Sequence, residues 1–349
     1  MTSGRPDLTV RGGGIFGLAI AFEASKRGAK VRLIERTRIG AGSSGGHVGA
    51  FAPHVPENWN PKKQFQLESL MMAEAFWAEV QRIGGKDPGY ARLGRIQPLA
   101  DDVQVARANE RAAGAAELWK GFATWRVTEA AEFAPFVPPS PTGLVIHDTL
   151  SARANPRAAG TALVAALEAM GAEIIIGEAE QIGPVIHATG APGLAELNAA
   201  FGTTIGTGVK GQSALLKYDA GEVPQLYAES LHIIPHAGGT VAIGSTSERD
   251  FDAPDTTDAQ LDTLIAKARA LCPPLAEAPV IDRWAGVRPR AKSRAPMLGG
   301  WPDRPGHFIA NGGFKIGFGM APKVAQAMTD LVLDEHDAIP EGFRVTDNL

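Results

Sequence analysis

Three glycines spaced as Gly12-x-Gly14-x-x-Gly17 stand between an apolar run, Leu8 to Val10, and a stretch from about Ile15 to Arg27 whose Leu18, Ala21 and Phe22 recur at helical spacing. Gly28 closes that stretch as a helix C-cap glycine does, and Val31 to Glu35 follows as a β-branched, apolar strand. Strand, glycine turn, helix and strand within about 30 residues make a βαβ unit and therefore a parallel sheet. Gly12 permits the tight turn, Gly14 lets backbone amides approach a pyrophosphate, and Gly17 lets helix and strand pack closely. The free N–H groups and partial positive charge at the helix start favour phosphate. Glu35 ends the second strand, 18 residues past Gly17, where a carboxylate hydrogen-bonds the ribose of an adenosine half. The pattern predicts dinucleotide binding. Arg11 departs from it, since an apolar residue is usual there, and Glu35 disfavours the 2′-phosphate of NADP(H).

The remainder of the 349 residues reads as an α/β chain of two intertwined domains or one large one. Hydrophobic residues at 44% and charged residues at 21% exclude a disordered chain and allow a sizeable core. A net charge of −4 gives no nucleic-acid footprint. Cys272 stands alone, which excludes an intrachain disulfide, a CxxC redox pair and a cysteine-based zinc cage; it reads as a passive thiol in a reducing compartment. There is no HxxxH or carboxylate cluster, so no metal is expected. The Met1 to Asp7 segment lacks the features of a signal peptide, and no run approaches ~18 apolar residues, which points to the cytoplasm and no membrane span.

Along the chain, Gly40 to Gly49 is too glycine-rich for an element interior and reads as a loop that approaches something closely. Helices are predicted from Pro61 to about Ile83, from Pro156 to Met170, from Ala259 to Leu271, and from about Pro322 to Leu333. Strands are predicted at 174–176, 185–190, 213–216, 232–234, 240–243 and 308–310. The 185–190 strand, ending at Gly190, suggests a return to the first sheet, and residues 91–150 read as an excursion from it.

Several of these segments together resemble the glycine oxidase and D-amino-acid oxidase superfamily. Gly40-Ala-Gly-Ser-Ser-Gly45 looks like its second flavin loop, and His187-Ala-Thr-Gly190 like its later ATG element. Residues 231–250 resemble its substrate-domain strands, Trp284-Ala-Gly-Val-Arg-Pro289 its WAGLRP signature, and Asn311 to Pro322 its closing flavin loop and helix. The resemblance spans about residues 7 to 333, in order. It implies FAD, held by a Rossmann-like domain of residues 1–85, 151–205 and 305–349, interleaved with a mixed-sheet substrate domain of residues 86–150 and 206–304.

By position, the resemblance implies that Gly12, Gly14, Ile15, Phe16 and Gly17 hold the pyrophosphate, and that Glu35 and Arg36 lie at the adenosine half. Ser43 and Ser44 would lie along the cofactor, and Gly190 where the chain passes it again. Gly313, Phe314, Lys315, Ile316 and Gly317 would lie against the isoalloxazine, their amides able to stabilise negative charge on the reduced ring. Arg288 matches the arginine that grips a substrate carboxylate, Lys315 a position where relatives often carry a second arginine, and Tyr227 is the tyrosine placed to enter a pocket. His47 and His54 flank the second loop, near where some related dehydrogenases attach FAD covalently, while His232 and His236 read as sheet residues. One departure is the eight-residue interval between Ile176 and Val185, where relatives usually carry a longer hairpin.

The implied reaction is oxidation of the amine of a small amino acid, glycine-like, D-configured or N-methylated, by hydride transfer to the flavin. Molecular oxygen is the expected acceptor, although electron transfer to another protein and a homo-oligomer are equally compatible with the residues. Two other readings remain open. One is an oxidase acting on a carboxymethylaminomethyl group of modified tRNA, disfavoured by the missing methyltransferase half and basic surplus. The other is a flavin-binding protein without turnover, against which Arg288 speaks.

Overall fold

The computed structural model describes residues 5–349; the opening residues 1–4, part of the segment read above as lacking a leader, lie outside the described residues. The glycine motif folds as its spacing predicts. β1 (Leu8–Arg11) runs into α1 (Ile15–Lys26), and β2 (Val31–Glu35) lies parallel to β1 with Leu8 opposite Val31. Every apolar side chain of α1 is buried, so this helix forms a core axis rather than an amphipathic cover.

Next come β3 (Ala50–Phe51) and α2 (Pro61–Gly84). Asn60 caps α2 by accepting from the Lys63 N–H at 3.1 Å, Pro61 supplies the first helical position, and left-handed Gly85 ends it. The excursion holds β4 (Arg95–Pro98), α3 (Asp102–Trp119), β5 (Trp125–Glu129) and β6 (Leu144–Asp148). The chain returns through β7 (Ala152–Arg153), α4 (Pro156–Ala169), β8 (Glu173–Ile176), β9 (Val185–His187) and α5 (Gly190–Phe201). It then runs through β10 (Gly206–Lys217), β11 (Gln225–Ala228), β12 (Leu231–His236), β13 (Thr240–Gly244) and α6 (Ala259–Leu271). The last elements are β14 (Val280–Ala291), β15 (Met297–Gly300), β16 (His307–Asn311) and α7 (Gly317–Leu333).

Two large sheets result. A six-stranded sheet has the order β15-β16-β9-β1-β2-β8, parallel except for β15 at its edge. An eight-stranded sheet has the order β14-β10-β13-β12-β11-β4-β6-β5, antiparallel except for β11 with β4. The short β3–β7 pair ties the strand after the second glycine loop to the end of the excursion. The larger core lies among α1, α2, α4 and α7 over the parallel sheet, and a second packs α6 on the antiparallel sheet.

Three elements differ from the sequence reading. α7 starts at Gly317, not Pro322: the Met320 N–H already bonds the Ile316 carbonyl at 2.9 Å, and Pro322 sits inside the helix. The lost N–H is outweighed by burial of Gly319, Met320 and Ala321 against the α1–α2 layer. α5 went unpredicted beyond Gly190. β14 is a twelve-residue strand, and Pro289 is accommodated because β14 is the sheet's edge. The eight residues between Ile176 and Val185 cross beneath β2 and β1; Thr9 Oγ1 donates to the Ile182 carbonyl at 2.7 Å and accepts from its N–H at 2.9 Å.

Candidate active site

A cleft of about 330 Å³ opens at the carboxyl ends of the central parallel strands. Gly12, at φ +113°, turns the chain out of β1; a Cβ there would collide with the Ala188 carbonyl, and one at Gly17 with the Gly12 carbonyl. Gly14, by contrast, would meet only Ser44 Oγ, at 3.3 Å, so its outer face borders the cleft. Ser44 Oγ accepts from the Ile15 N–H at 3.0 Å, and Glu35 accepts from the Gly13 N–H at 2.7 Å and the Thr37 N–H at 2.9 Å. These bonds fix the second glycine loop and the end of β2 on the first glycine turn.

The starts of three helices meet this cleft. Gly14, Ile15 and Phe16 border it from α1, Gly190, Ala191 and Pro192 from α5, and Gly317 from α7. Each helix start carries unpaired N–H groups and about half a positive charge, so the cleft is built for an electron-rich, phosphate-bearing group. Glu35, Arg36, Ser43, Ser44, Gly313 and Phe314 complete the lining among the residues singled out from sequence. Gly17, Lys315 and Ile316 do not border it; Gly17 is packed beneath the turn and Ile316 precedes α7. Sequence reasoning missed Gly177, Glu178 and, beyond Gly190, Ala191 and Pro192 in the first turn of α5, although Leu194, Leu197 and Phe201 carry a helical spacing. A dinucleotide with an isoalloxazine fits this cradle: backbone donors converge where glycine leaves room, and Glu35 and Arg36 stand at the β2 end.

Beyond Phe314 lies Arg288, on β14. It is 8% exposed, and its Cζ is 5.4 Å from the Phe314 ring centre. Its Nη1 donates to Ser245 Oγ at 2.6 Å, and its Nη2 to the carbonyls of Thr246 at 2.7 Å and Lys210 at 3.1 Å. Its Nε–H, also buried, has no protein partner. Burial pulls its pKa down to about 10, opposed by Glu248, so the guanidinium keeps its charge at neutral pH. Glu248 is itself buried and paired with Lys210 at 3.4 Å, and Gln212 Nε2 donates to Glu248 at 3.0 Å. No spacing along the chain marks this support, because Lys210, Gln212, Ser245 and Glu248 converge only when β10 pairs with β13 and β14.

Lys315 is exposed, yet the surrounding chain and then the Arg288 charge lower its pKa. Tyr227, on β11, is half-buried; its ring centre is 4.6 Å from that of His232 and 5.8 Å from the Arg95 guanidinium. Burial, with Arg95 and Lys315, pushes His232 down to about 3, so its imidazole is neutral near pH 7. His47 and His54 border no part of the cleft. His47 engages Ser213 Oγ and Asp282 through its two ring nitrogens, both at 3.1 Å, and Asp282 also holds Arg157 at 2.6 Å. His54 contacts Gln66. Cys272 is buried behind α6, its thiol pushed up to about 12 by burial.

A glycine-turned phosphate cradle backed by a tethered arginine defines a flavin-dependent oxidoreductase site. A sequence profile of the family described as FAD dependent oxidoreductase (DAO) matches residues 7–331, and the chain belongs to that family. It is 26% identical over 365 residues to the glycine oxidase of Geobacillus kaustophilus, covering 94% of this chain and 93% of that one. It is likewise 26% identical to the glycine oxidase of Pseudomonas putida, covering 96% and 98%. The crystal structure of the Geobacillus kaustophilus glycine oxidase superposes with a TM-score of 0.83 at 23% identity, covering 98% of both chains. That of an iminodiacetate oxidase from Chelativorans sp. BNC1 does so at 0.81 and 22%, covering 97% and 98%. The protein is therefore an FAD-dependent enzyme with the D-amino-acid-oxidase type of fold. Among the described residues, no helix is long and apolar enough to cross a membrane.

Proposed function

We propose that the enzyme oxidises the amine of a small amino acid, glycine-like, D-configured or N-methylated, and that its carboxylate docks on Arg288. The observation that carries this reading is a buried guanidinium, fixed by three hydrogen bonds, with an unpaired Nε–H beside the cofactor cleft. A buried donor without a partner is costly, and a carboxylate is the group that satisfies a guanidinium with directional, charge-assisted bonds.

FAD supplies a two-electron acceptor that takes a hydride from the carbon bearing the amine. Gly12, Gly14, Ile15 and Phe16 would hold its pyrophosphate on the turn that Gly17 packs beneath, with Ser43 and Ser44 alongside, and Glu35 and Arg36 its adenosine half. Gly190, Gly313, Phe314 and Gly317 would present backbone to the rest. Arg288 orients the acid, Lys315 adds positive charge, and Tyr227 with neutral His232 walls the chamber. No protein nucleophile is required, since positioning and charge do the work. The imine hydrolyses in water, and dioxygen receives the electrons. In this reading, residues 1–85, 151–205 and 305–349 form the FAD domain and residues 86–150 and 206–304 the substrate domain, with β15 lending an edge strand to the parallel sheet.

The test is anaerobic reduction of the bound flavin by glycine, sarcosine and D-alanine. Bleaching by one or more of them supports the reading; an FAD-loaded protein that none of these or a wider panel of amino acids bleaches refutes it.

A further inference from the structure

Three cations share the Phe314 ring. Arg288 lies 5.4 Å from its centre, Arg290 5.7 Å and Lys315 5.8 Å. The ion pairs nearby, Lys210–Glu248, Lys210–Asp258 and Arg283–Asp262, leave Arg290 and Lys315 without a carboxylate partner among the described residues. Like charges gathered around one ring repel, and an anion that enters among them relieves the repulsion. A glycine-like acid brings one negative charge, which Arg288 takes. A second carboxylate on the same molecule would bring another to Lys315 and Arg290, which no carboxylate of the described residues pairs.

We propose that the preferred substrate is an amine bearing two carboxylates, one docked on Arg288 and the second on Lys315 with Arg290. This rests on the amine-oxidising reading above and adds the substrate class. Arg288 is suited to the carboxylate that must be oriented, because its guanidinium is tethered and buried. Lys315, an exposed point charge on a flexible stem, suits the more distant acid, whose placement is less exacting.

The FAD-loaded enzyme is titrated with two thioethers that carry no amine, (methylthio)acetate and thiodiacetate, which differ by one carboxylate, and binding is read from the flavin absorbance. Thiodiacetate is expected to bind at least about tenfold more tightly, roughly 1.4 kcal/mol, with the advantage shrinking at high salt. Lys315→Met should abolish the advantage, so that the two thioethers bind alike. In turnover, iminodiacetate should then reduce the flavin with a higher kcat/KM than sarcosine. Equal affinity of the two thioethers, or an advantage that survives in both Lys315→Met and Arg290→Met, overturns the proposal. If sarcosine bleaches the flavin and the thioethers bind alike, the dicarboxylate assignment falls while the amine-oxidase reading stands. If no amine bleaches it, both fall together.

Discussion

Replacing Arg288 by alanine separates its role as a substrate anchor from its role as a structural tie. Truncating one member of a buried, hydrogen-bonded charge pair costs about 2–5 kcal/mol. At roughly 1.4 kcal/mol per tenfold, Arg288→Ala should lower kcat/KM for a carboxylated amine by about 30-fold to a few thousand-fold. The loss should appear mainly in KM, because the guanidinium contacts the acid and not the carbon that gives up hydride. The same change strips donors from Ser245 Oγ and from the carbonyls of Thr246 and Lys210. The hydroxyl can turn elsewhere and the Lys210 carbonyl keeps the Glu248 N–H at 3.0 Å, so the Thr246 carbonyl dominates, and stability should fall by about 1–3 kcal/mol. Arg288→Lys keeps the charge and loses the fork, and should fall between wild type and alanine. The assay is anaerobic flavin reduction over a range of substrate concentrations, with FAD content from absorbance and stability from urea unfolding. A primary amine without a carboxylate serves as the control and should reduce the flavin of wild type and of Arg288→Ala at the same rate. Refutation is a kcat/KM within threefold of wild type, or an equal loss for the uncarboxylated amine.

Gly12→Ala combines a backbone at φ +113° with a Cβ that strikes the Ala188 carbonyl. It should cost at least about 2–3 kcal/mol and yield protein depleted of flavin, measured by the ratio of visible to ultraviolet absorbance. Ser44→Ala removes the acceptor of the Ile15 N–H, so FAD should dissociate more readily with the fold retained, at about 1 kcal/mol of helix capping. His187, His232 and His236 are held neutral by burial, at pKa values of about 3, 3 and 4. The unfolded chain protonates them near pH 6.5. The folded state therefore binds fewer protons than the unfolded state below that pH, and stability present above pH 6.5 is lost as the pH falls towards 4. The slope should approach about 4 kcal/mol per pH unit near pH 5, and His187→Gln should reduce it by about a third in urea unfolding at pH 7, 6 and 5.

What the sequence revealed were features written into the local backbone. The turn at Gly12, the close packing at Gly17 and the helix starts at Pro61 and Pro156 depend on neighbours within a few residues, and each is found where its spacing places it. Arg288 could be singled out only through a resemblance, because its flanking basic residues also suit an exposed face. The groups that hold it lie 42, 43 and 78 residues away in sequence. β14 was hidden by Gly286 and Pro289, which break a strand pattern unless the strand lies at an edge. α7 was placed five residues late because Pro322 resembles a helix start, whereas burial of Met320 and Ala321 extends the helix ahead of it. His47 had drawn notice for its place beside the second loop; its nitrogens are engaged by Ser213 and Asp282, which sequence distance concealed.

The order of strands β16-β9-β1-β2-β8 has a consequence for how the protein is made. Within this sheet β1 is synthesised before the other strands yet is central, and its neighbour on one side, β9, is followed outward by β16, about 300 residues further along the chain. One wall of the cleft starts at Gly12 and the opposite wall ends at Gly317. During vectorial synthesis the emerging chain must therefore keep an apolar β1–α1 hairpin soluble while the partner segments are still being translated. Both ends of the cleft lining exist together only after Gly317 has been made, so the whole cofactor can be enclosed only once most of the chain has been translated.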